Sequence, residues 1–434
     1  MFVPLLLTDF LDRAVSLYGK RTAVIDGSKE VTYEKLNYNI NQLSRALNDL
    51  GIKKGDKAAY LTRNCKELVE GYYGVFQTGA VMTPLGTGLS AEEYVFILNH
   101  SESRVLIVEE ALYSRISSIK ERLETIEHII VIGKSPVSQG CLHYDSWKDQ
   151  FPGYAYDRVE LEEQDVATLQ YTRGTTGRPK GVLTAHRSNY LHALSAMHHL
   201  RVSDRDRLLH VLPMHHANAW GAPFIYTSNG AVQIMQQDME ARVTAHNIDA
   251  YHITVVHMTP PVLQSLLEYY KEEGAPPKKR NVRLVVSGEI PPRDIVHRVE
   301  TELGWEFVQV YGMTETSPLV AVSEVRPQHQ YLTDGQKEEI KAKTGFPMIG
   351  VNMKVVDEEG VEIPRDGVTI GEIIIRSNHV MEGYLKNPEE TSQSIKNGWL
   401  HTGDHAVIDV DGYIEIKERK RKTAYSFSYV DTTP

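Results

Sequence analysis

The segment YTRGTTGRPKG (171–181) combines hydroxyl, cationic and glycine residues at close spacing. A tight turn needs only one or two glycines, whereas a loop that surrounds phosphate oxygens needs all three residue types. Glycines let the backbone approach closely, threonine hydroxyls and amide N–H groups donate hydrogen bonds, and lysine neutralises charge. The segment therefore predicts a phosphate-binding loop. It is not a Walker loop, which requires Gly-Lys followed by Ser or Thr, because Pro179 precedes Lys180 and Gly181 follows it.

The elements on either side of this segment belong to an alternating α/β pattern. The apolar run VATLQ (166–170) before it is a strand candidate, and HRSNYLHALSAMHHL (186–200) after it is helix-like. A glycine-rich turn between a strand and a helix is where α/β folds often hold phosphates. We therefore expect the loop to lead from a strand into that helix.

Apolar periodicity predicts further helices and strands along the chain. Helical spacing at Leu36, Ile40, Leu43 and Leu47 ends at Gly51. Other helix candidates are CKELVEGYYGVFQTG (65–79) and PVLQSLLEYYKEEG (261–274), and the strand candidates are KAAYLTR (57–63), AVMTPL (80–85), RVLIVEE (104–110), LLHVLPM (208–214), AVQIMQQ (231–237), ITVVHMT (253–259), VRLVVSG (282–288) and EFVQVYG (306–312). This α/β alternation predicts mainly parallel sheets covered by helices, in two packed, doubly wound α/β subdomains over about residues 1–344.

From about Gly345 the pattern changes to short strands with little helix. The segments GVNMKVVDEEG (350–360), GEIIIRS (371–377) and GYIEIKER (412–419) are separated by turn residues. They predict a smaller β-barrel-like subdomain over about residues 345–416. We interpret the polar stretch QHQYLTDGQKEEIKAKTG, which ends at Gly345, as a solvated connection before this subdomain.

Composition excludes several classes of protein. The 434 residues are too many for one core, and 41% hydrophobic and 24% charged residues are typical of a soluble protein. A net charge of −10 argues against general nucleic-acid binding. Cys65 and Cys141 have no metal-ligand spacing, so neither a zinc site nor a disulfide framework is expected. The opening MFVPLLLTDFL carries Asp9 and no basic leader, and no stretch reaches the roughly 20 apolar residues of a membrane span. We expect an amphipathic first helix and a cytoplasmic protein.

Four segments, in order along the chain, resemble the signatures of the adenylate-forming superfamily, which includes acyl-CoA synthetases, firefly luciferase and the adenylation domains of peptide synthetases. Residues 174–181 resemble its phosphate loop, YGMTET (311–316) its second signature, LHTGD (400–404) its third, and GYIEI (412–416) with Arg419 the approach to its hinge. The resemblance extends from the first helix to about residue 421. It implies the fold of the adenylating large domain, made of the two α/β subdomains and the β subdomain.

This resemblance implies a nucleotide site. Thr175, Thr176 and Lys180 are expected to hold the β- and γ-phosphates of ATP, because hydroxyls and an ammonium group donate to phosphate oxygens. Asp404 is expected to accept hydrogen bonds from both ribose hydroxyls, and Tyr311 to lie against the adenine face. The full set implied to bind the nucleotide is Thr172, Arg173, Gly174, Thr175, Thr176, Gly177, Lys180, Gly288, Glu289, Tyr311, Gly312, Met313, Thr314, Asp404 and Arg419.

The implied catalytic and metal-binding residues come largely from the same signatures. Thr314 is expected on the α-phosphate and Glu315 on Mg²⁺, a cation that prefers carboxylate oxygen and bridges phosphates. Thr175 is the second expected magnesium ligand. Lys180 and His216 complete the catalytic set that the resemblance implies.

The segment LPMHHANAWG (212–221) indicates the substrate. It resembles the pattern Pro-Met-Phe-His-x-Asn-Ala-Trp of fatty-acid–CoA ligases, with His215 in place of the phenylalanine. His216 is then expected near the carboxylate to be activated. The two histidines alone predict no metal site, because no third ligand follows at a suitable spacing. The candidate walls of an acyl pocket are Trp220, Val286, Ser287, Gly288 and Gly312.

Together these residues imply ATP-dependent activation of a medium- or long-chain fatty acid. The carboxylate attacks the α-phosphate of ATP, pyrophosphate leaves, and the thiol of CoA then attacks the acyl-adenylate. Positioning and charge neutralisation dominate such nucleotidyl chemistry, so no protein nucleophile is needed. Activation of an aryl acid or an amino acid fits the same loops, although no Asp is assignable to an amino group.

Two departures from the family pattern predict impaired activity. Arg173 stands where the family usually has serine, and it could contact the phosphates or fill their space; we expect impairment. The family's hinge leads into a C-terminal domain with a catalytic lysine, which we do not find, so we expect residues 417–434 to be a hinge remnant and an aberrant tail. A silent remnant that binds ATP and acyl groups is the alternative. The cleft face that such a domain would cover also raises the possibility of a homodimer.

The last residues suggest a frameshift. We expect the basic run KERKRK (417–422) at the hinge rather than in a nucleic-acid patch, which an acidic chain disfavours. The tail TAYSFSYVDTTP (423–434) does not resemble the family. One choice of codons for residues 422–434, read from the third base, encodes DGVFILIRGYNT, which does. We hypothesise a slip in the adenine-rich codons of Lys-Arg-Lys, and sequencing of the gene would test it.

Overall fold

The computed structural model describes residues 1–136, 138–172, 178–274, 276–278 and 281–419. The helices in these ranges are α1 (Thr8–Tyr18), α2 (Tyr33–Asp49), α3 (Lys66–Gln77), α4 (Ala91–Ser101), α5 (Tyr113–Ser117), α6 (Tyr144–Lys148), α7 (His186–His199), α8 (Ala217–Trp220), α9 (Ala222–Ser228), α10 (Ala241–Ala250), α11 (Pro260–Glu272), α12 (Arg293–Arg298), α13 (Asp334–Ala342) and α14 (Pro388–Ser394). Single 3₁₀ turns lie at Glu110–Leu112, Lys120–Arg122, Thr314–Thr316 and Pro327–His329, and a π-helical turn lies at Val299–Leu303.

The first of three sheets has nine strands and takes its members from two distant parts of the chain. Numbered in chain order and given in spatial order, they are β16 (Phe346–Pro347), β15 (Leu319–Ser323), β14 (Glu306–Gly312), β13 (Arg283–Val286), β12 (Val255–Met258), β10 (Arg207–His210), β11 (Val232–Met235), β1 (Thr22–Asp26) and β2 (Lys29–Thr32). The strands from β14 to β1 run parallel, and β15, β16 and β2 are antiparallel to their neighbours.

The second sheet has eight strands and is also mainly parallel. In spatial order they are β19 (Gly383–Tyr384), β9 (Lys180–Ala185), β8 (Val166–Thr172), β4 (Val81–Pro84), β3 (Lys57–Leu61), β5 (Ser103–Glu109), β6 (His128–Ile132) and β7 (Cys141–His143). The pairings of β9 with β8 and with β19 are antiparallel. Because β19 comes from the β region after Gly345, this sheet joins the β region to the middle of the chain.

The third sheet is a curled, half-barrel antiparallel sheet. Its strands are β17 (Val351–Val356), β18 (Gly371–Ser377), β21 (Trp399–Ile408) and β20 (Ile395–Lys396) in spatial order, with β22 (Ile414–Arg419) paired to β21. The predicted fold class, two α/β sheets with a smaller β-barrel-like unit, is therefore confirmed.

Buried helices join the two large sheets through a shared apolar core. Every residue of α3 is buried, which explains why its sequence, LVEGYYGVF, is apolar around most of the helix. Its aromatic side chains, Tyr72, Tyr73 and Phe76, cluster with Phe224 of α9. The same core includes Tyr60 of the eight-stranded sheet, so α3 lies between elements of both sheets.

The strand and helix candidates of the sequence mostly correspond to elements of the fold, and two expectations are wrong. The 171–181 segment does not lead from a strand into a helix: it connects β8 to the antiparallel strand β9, and α7 begins only after β9. The polar stretch before Gly345 contains α13, which Thr333 and Gln336 start with a reciprocal capping box. Capping and the burial of Ile340 stabilise this helix, which the polar composition of the segment does not indicate. Within the described ranges, no helix combines the length and apolar character needed to cross a membrane.

Candidate functional site

The candidate site begins at one edge of the nine-stranded sheet. Strands β10, β12, β13 and β14 run parallel beside one another, so their carboxyl ends share an edge. Ligands of open α/β sheets bind beyond such edges. The segments that follow these strands are 211–216, Thr259, Ser287–Glu289 and Met313–Thr316, and three of the four carry residues that the sequence singles out.

Tyr311, Asp404 and Arg419 form one cluster at this edge. The Tyr311 hydroxyl donates to Asp404 Oδ2 at 2.8 Å, and the Arg419 Nε atom lies 4.0 Å from the same oxygen. The Arg419 guanidinium stands 5.6 Å from the centre of the Tyr311 ring and donates to the carbonyl of Gly288. Burial and the neighbouring Asp404 raise the pKa of Tyr311 well above its usual value, so its hydroxyl remains a donor. The cluster therefore joins three separate sequence signatures.

Two neighbouring strands of the curled sheet present Asp404 and Arg419 to the cleft. The two residues are direct cross-strand partners in β21 and β22. The hydroxyl of Thr402 donates to the Ile373 carbonyl at 2.7 Å and accepts from the Asp404 N–H at 3.0 Å. These bonds fix the backbone of the TGD segment within β21, so a buried carboxylate faces a cation and a phenol in a defined position.

A tight turn after β14 carries Thr314 and Glu315. Both residues are buried, and the turn closes by a hydrogen bond from the Thr316 N–H to the Met313 carbonyl at 2.9 Å. Only glycine fits at position 312, because a Cβ atom there would lie 1.8 Å from the carbonyl oxygen of Pro318. The turn therefore packs directly against the next strand.

Lys180 and Glu315 belong to a second cluster, which Tyr384 joins. The Tyr384 hydroxyl donates to Glu315 Oε1 at 2.8 Å, and the Lys180 Nζ atom stands 5.3 Å from the centre of the Tyr384 ring. The same ammonium group forms an ion pair with Glu390 Oε1. Only 10% of the Lys180 side chain is exposed, so the pair is shielded from water. A cation, a phenol and two carboxylates thus meet within one cluster.

The described ends of the phosphate-loop segment lie beside this second cluster. Thr172, at the end of β8, is the cross-strand partner of Lys180. Arg173, Gly174, Thr175, Thr176 and Gly177 lie outside the described residues, so their predicted phosphate and metal contacts stay predictions. Because the segment connects antiparallel strands, the N-terminus of α7 does not follow it directly, and any anion binding relies on the loop's own groups and Lys180.

The two adjacent histidines lie after β10 and are uncharged at neutral pH. Both are half-buried by surface area, and desolvation lowers the pKa of His215 to about 3 and that of His216 to about 4. His216 adds to the effect on His215, since neighbouring imidazolium charges repel. Neither ring therefore carries a positive charge with which to attract a carboxylate, but each can hydrogen-bond as a neutral imidazole.

Trp220 ends a strained backbone turn next to these histidines. Residues 217–220 all have positive φ, between 45° and 58°, although none is glycine. Such left-handed geometry costs about 1–2 kcal/mol per residue, and strain of this kind clusters at functional sites. The buried Trp220 ring stacks on His257 of β12 at 5.6 Å between centroids, which is one contact that stabilises this conformation.

The remaining predicted positions lie along the same edge with differing exposure. Val286 and Ser287 are buried at the end of β13, and Gly288 has a φ of 104°, which favours glycine. Met313 is half-buried at the start of the turn, whereas Glu289 is exposed. His216 and Trp220 follow β10 in the chain, at the same edge of the nine-stranded sheet.

Three residues of the site escaped the sequence analysis: Tyr384, Glu390 and His257. Tyr384 precedes the helix-start sequence Asn-Pro-Glu-Glu, which signals a turn and not a partner for Glu315. Glu390 is one acidic residue among several in that first turn. Only the pairing of β19 with β9 brings both next to Lys180. His257 lies within an apolar strand, where no local pattern marks it.

The chain resembles known proteins over most of its length. The family description "AMP-binding enzyme" matches residues 11–385. A long-chain-fatty-acid–CoA ligase of Thermus thermophilus is 35% identical over 422 residues, covering 95% of this chain and 76% of that protein. 4-Hydroxybutyrate–CoA ligase 2 of Metallosphaera sedula is 31% identical over 416 residues, covering 94% of this chain and 75% of the relative.

Solved structures have the same architecture. The anthranilate CoA ligase AuaEII, in complex with anthranoyl-AMP, superposes with a TM-score of 0.87 at 25% identity, over 96% of this chain and 78% of that one. The N-terminal domain of FACL13 from Mycobacterium tuberculosis, with an inhibitor bound, gives a TM-score of 0.85 at 26% identity, over 95% of this chain and 99% of that one. The two large sheets and the curled sheet are therefore an arrangement shared with adenylate-forming proteins.

Proposed function

The chain belongs to the AMP-binding enzyme family, and from that membership we propose that it activates a medium- or long-chain fatty acid with ATP, first as the acyl-adenylate and then as the acyl-CoA. One observation carries the proposal. The Tyr311–Asp404–Arg419 cluster and the Lys180–Tyr384–Glu315 cluster meet at the 311–316 segment. If the second cluster binds the phosphates and the first binds the nucleoside, as we propose, the two sides adjoin in the way that ATP requires.

We assign the nucleoside to the first cluster. The Asp404 carboxylate accepts hydrogen bonds from the two ribose hydroxyls, and Tyr311, fixed by its bond to Asp404, provides the wall for adenine. Arg419 neutralises Asp404 and donates a hydrogen bond to the carbonyl of Gly288. The second contact holds the Ser287–Glu289 segment against the proposed adenine site. Bonds between charged groups and hydroxyls are about twice as strong as neutral ones, which favours this use of a buried carboxylate.

We assign the triphosphate to Lys180, Thr314 and the 174–177 segment. Lys180 takes the β- and γ-phosphates, and the Thr314 hydroxyl donates to the α-phosphate. The donor set also fits Mg²⁺, because the buried Glu315 offers carboxylate oxygen on the phosphate side, with Thr175 as the second proposed ligand. When bound, this ion supplies charge neutralisation on the phosphates.

In the adenylation step a carboxylate oxygen of the acid attacks the α-phosphorus, and the bond from that phosphorus to the bridging oxygen breaks, releasing pyrophosphate. The neutral His216 holds the carboxylate by a hydrogen bond rather than by charge. Trp220, Val286, Ser287, Gly288 and Gly312 form the proposed wall of the acyl pocket. In the second step the CoA thiolate attacks the acyl carbonyl, and AMP leaves.

The acid itself is the least constrained part of the proposal. Fatty acids are favoured by the likeness of LPMHHANAWG to the fatty-acid–CoA ligase pattern and by the Thermus relative. The other relatives bear names of a hydroxylated short acid and an aryl acid, which are the competing substrate classes. We also propose a cytoplasmic location and self-association as a homodimer; fractionation and sedimentation would test the two.

The test is acid-dependent ATP–pyrophosphate exchange by the 434-residue chain with Mg²⁺. The acids are butyrate, 4-hydroxybutyrate, octanoate, palmitate and anthranilate. Exchange that is fastest with octanoate or palmitate supports the proposal, and the best acid defines the chain length. Fastest exchange with anthranilate or 4-hydroxybutyrate overturns the substrate class, while absence of exchange with every acid, alongside normal ATP binding, supports the silent remnant.

A parallel variant, Arg173→Ser, tests the unusual residue of the phosphate loop. We propose that the arginine occupies space that the phosphates need, so we expect the serine variant to exchange faster than the wild type. Arg178→Ser is the matched control, because Arg178 is an exposed arginine of the same segment whose guanidinium lies 5.8 Å from the Phe96 ring. Equal exchange by Arg173→Ser would overturn the proposed obstruction, and slower exchange would show that the arginine assists the reaction.

A further inference from the structure

The 381–390 segment connects Lys180 and Glu315, the two residues of the second cluster to which we assign phosphate and magnesium binding. Its backbone donates from the Met381 N–H to the Glu315 carbonyl at 2.9 Å, and from the Leu385 N–H to the Gly181 carbonyl at 2.7 Å. β19 within it pairs with β9 at Val182 and Leu183, close to Lys180 in the same strand. The segment therefore touches both the turn that bears Glu315 and the strand that begins with Lys180.

Two side chains of this segment also contact the Glu315 carboxylate and the Lys180 ammonium group. Tyr384 is buried, its hydroxyl donates to the Glu315 carboxylate, and its ring faces the Lys180 ammonium. Glu390 forms the ion pair with that ammonium. A charged group so shielded from water would be costly without a counter-ion, so Lys180 keeps Glu390 until another anion replaces it.

We propose that Tyr384 and Glu390 are positioning residues for adenylation. Tyr384 orients the carboxylate of Glu315 by its hydroxyl and contacts the Lys180 ammonium by its ring. Glu390 holds Lys180 at that ring until the phosphates of ATP replace Glu390 as the partner of Lys180. This inference rests on the proposed function, because it requires ATP phosphates at Lys180. It adds that ATP binds in exchange for an internal ion pair, which lowers the affinity but presents Lys180 in its working position.

The backbone around Glu390 supports an exact placement of its carboxylate. Asn387 accepts the Glu390 N–H at 3.1 Å as the cap of α14, and Pro388 occupies the first position of that helix. The hydroxyl of Thr391 accepts from the Tyr384 N–H at 2.9 Å, which ties the helix to β19. These bonds therefore hold the first turn of α14 and Tyr384 together.

The first experiment compares ATP binding by the wild type, Glu390→Gln and Glu389→Gln, using calorimetry with Mg²⁺. Glu389 is the matched control: it is an exposed acid in the same helical turn, and its carboxylate contacts Gln393 rather than Lys180. Since Glu390→Gln leaves the charge of Lys180 available, we expect its Kd for ATP to fall roughly threefold to tenfold, whereas Glu389→Gln keeps the wild-type value. Unchanged or weaker binding by Glu390→Gln would overturn the ion-pair exchange.

The second experiment uses Tyr384→Phe, which keeps the ring beside Lys180 and removes the donor to Glu315. We expect the half-saturating Mg²⁺ concentration in exchange to rise about fivefold or more and the maximal rate to fall roughly tenfold, with the Kd for metal-free ATP unchanged. Tyr413→Phe controls for loss of a buried hydroxyl, because Tyr413 donates to the Glu324 carbonyl. A Tyr384→Phe variant with wild-type magnesium dependence would overturn this role of Tyr384.

The two hypotheses fail in different ways. If the wild type binds ATP but exchanges with no acid, the proposed function fails, and the binding comparison still decides the role of Glu390. If the wild type exchanges but Glu390→Gln and Glu389→Gln bind ATP equally, only the positioning inference fails. Absence of ATP binding by the folded wild type overturns both.

Discussion

Asp404 shows how much a single buried charge contributes to the site. It accepts a hydrogen bond from the hydroxyl of Tyr311 and lies against Arg419, so its carboxylate organises the proposed nucleoside side before any ligand arrives. Such preorganisation lowers the cost of ordering the site on binding. The residues that the family resemblance identifies at this scale, Lys180, Glu315 and Asp404, do lie in two joined clusters.

We predict that Asp404→Asn reduces kcat/KM for ATP in exchange roughly 10- to 100-fold, mainly through KM, because an amide accepts ribose hydroxyls more weakly and leaves Arg419 without its counter-charge. Asp334→Asn is the control, since the Asp334 side chain is 97% exposed. Nucleotide kinetics with both variants provide the measurement. An Asp404→Asn variant with the wild-type KM for ATP would show that Asp404 does not bind the ribose.

The residues that could not be predicted are those whose roles depend on strand pairing. Each recognised signature is continuous in sequence, so its residues can be identified without knowing the fold. Tyr384 and Glu390 contact Glu315 and Lys180 only because β19 pairs in the eight-stranded sheet, although the strands before and after it in sequence belong to the curled sheet. No periodicity within the chain encodes that exchange of sheets, which is why both residues escaped the sequence analysis.

At the scale of elements, the β14–β15 turn is the part of the site with the least room for change. The turn brings Thr314 and Glu315 to the sheet edge, and it does so by packing Gly312 against Pro318. We predict that Gly312→Ala destabilises the protein by about 1–3 kcal/mol and lowers exchange more than its stability loss explains, since the added methyl must displace the turn.

Chemical denaturation and exchange kinetics of Gly312→Ala test this, with Gly335→Ala as the control. Gly335 lies inside α13 with no atom near its would-be Cβ, so alanine there should add roughly 0.5–1 kcal/mol of stability. Wild-type stability and activity in Gly312→Ala would mean that the turn can relax. Elements were predicted well where apolar spacing dominates, as in α2 and α3, and poorly where capping decides, as in α13.

For the whole molecule, buried histidines make stability depend on pH. Burial lowers the pKa of His186, His210, His216 and His379 to about 4 and that of His215 and His257 to about 3, and it lowers the pKa of His192 well below its usual value. In the unfolded chain a histidine has a pKa near 6.5. The unfolded state therefore binds more protons between about pH 6.5 and 4.

We predict that the free energy of unfolding is highest above pH 6.5 and falls as the pH is lowered towards 4, by roughly 3 kcal/mol for each histidine whose pKa is near 4. Denaturant unfolding at pH 7.5, 6.0 and 5.0 measures the slope. His192→Leu should reduce it, because neither ring nitrogen of His192 has a hydrogen-bond partner among the described residues and leucine removes the proton linkage at similar volume. An unfolding free energy that does not change over this range contradicts the prediction.

The hairpin of β1 and β2 makes the order of synthesis matter. Val24 of β1 pairs with Gln233 of β11, so β1 has no parallel partner until that later segment has been synthesised. Most of the eight-stranded sheet, from β3 to β9, is complete before that partner exists, whereas the nine-stranded sheet closes only when β16 arrives. Pairings this distant in sequence are slow to form. Nascent chains that end between β9 and β11 therefore expose an unpaired sheet edge, and this is the stage at which we expect chaperones to be needed most.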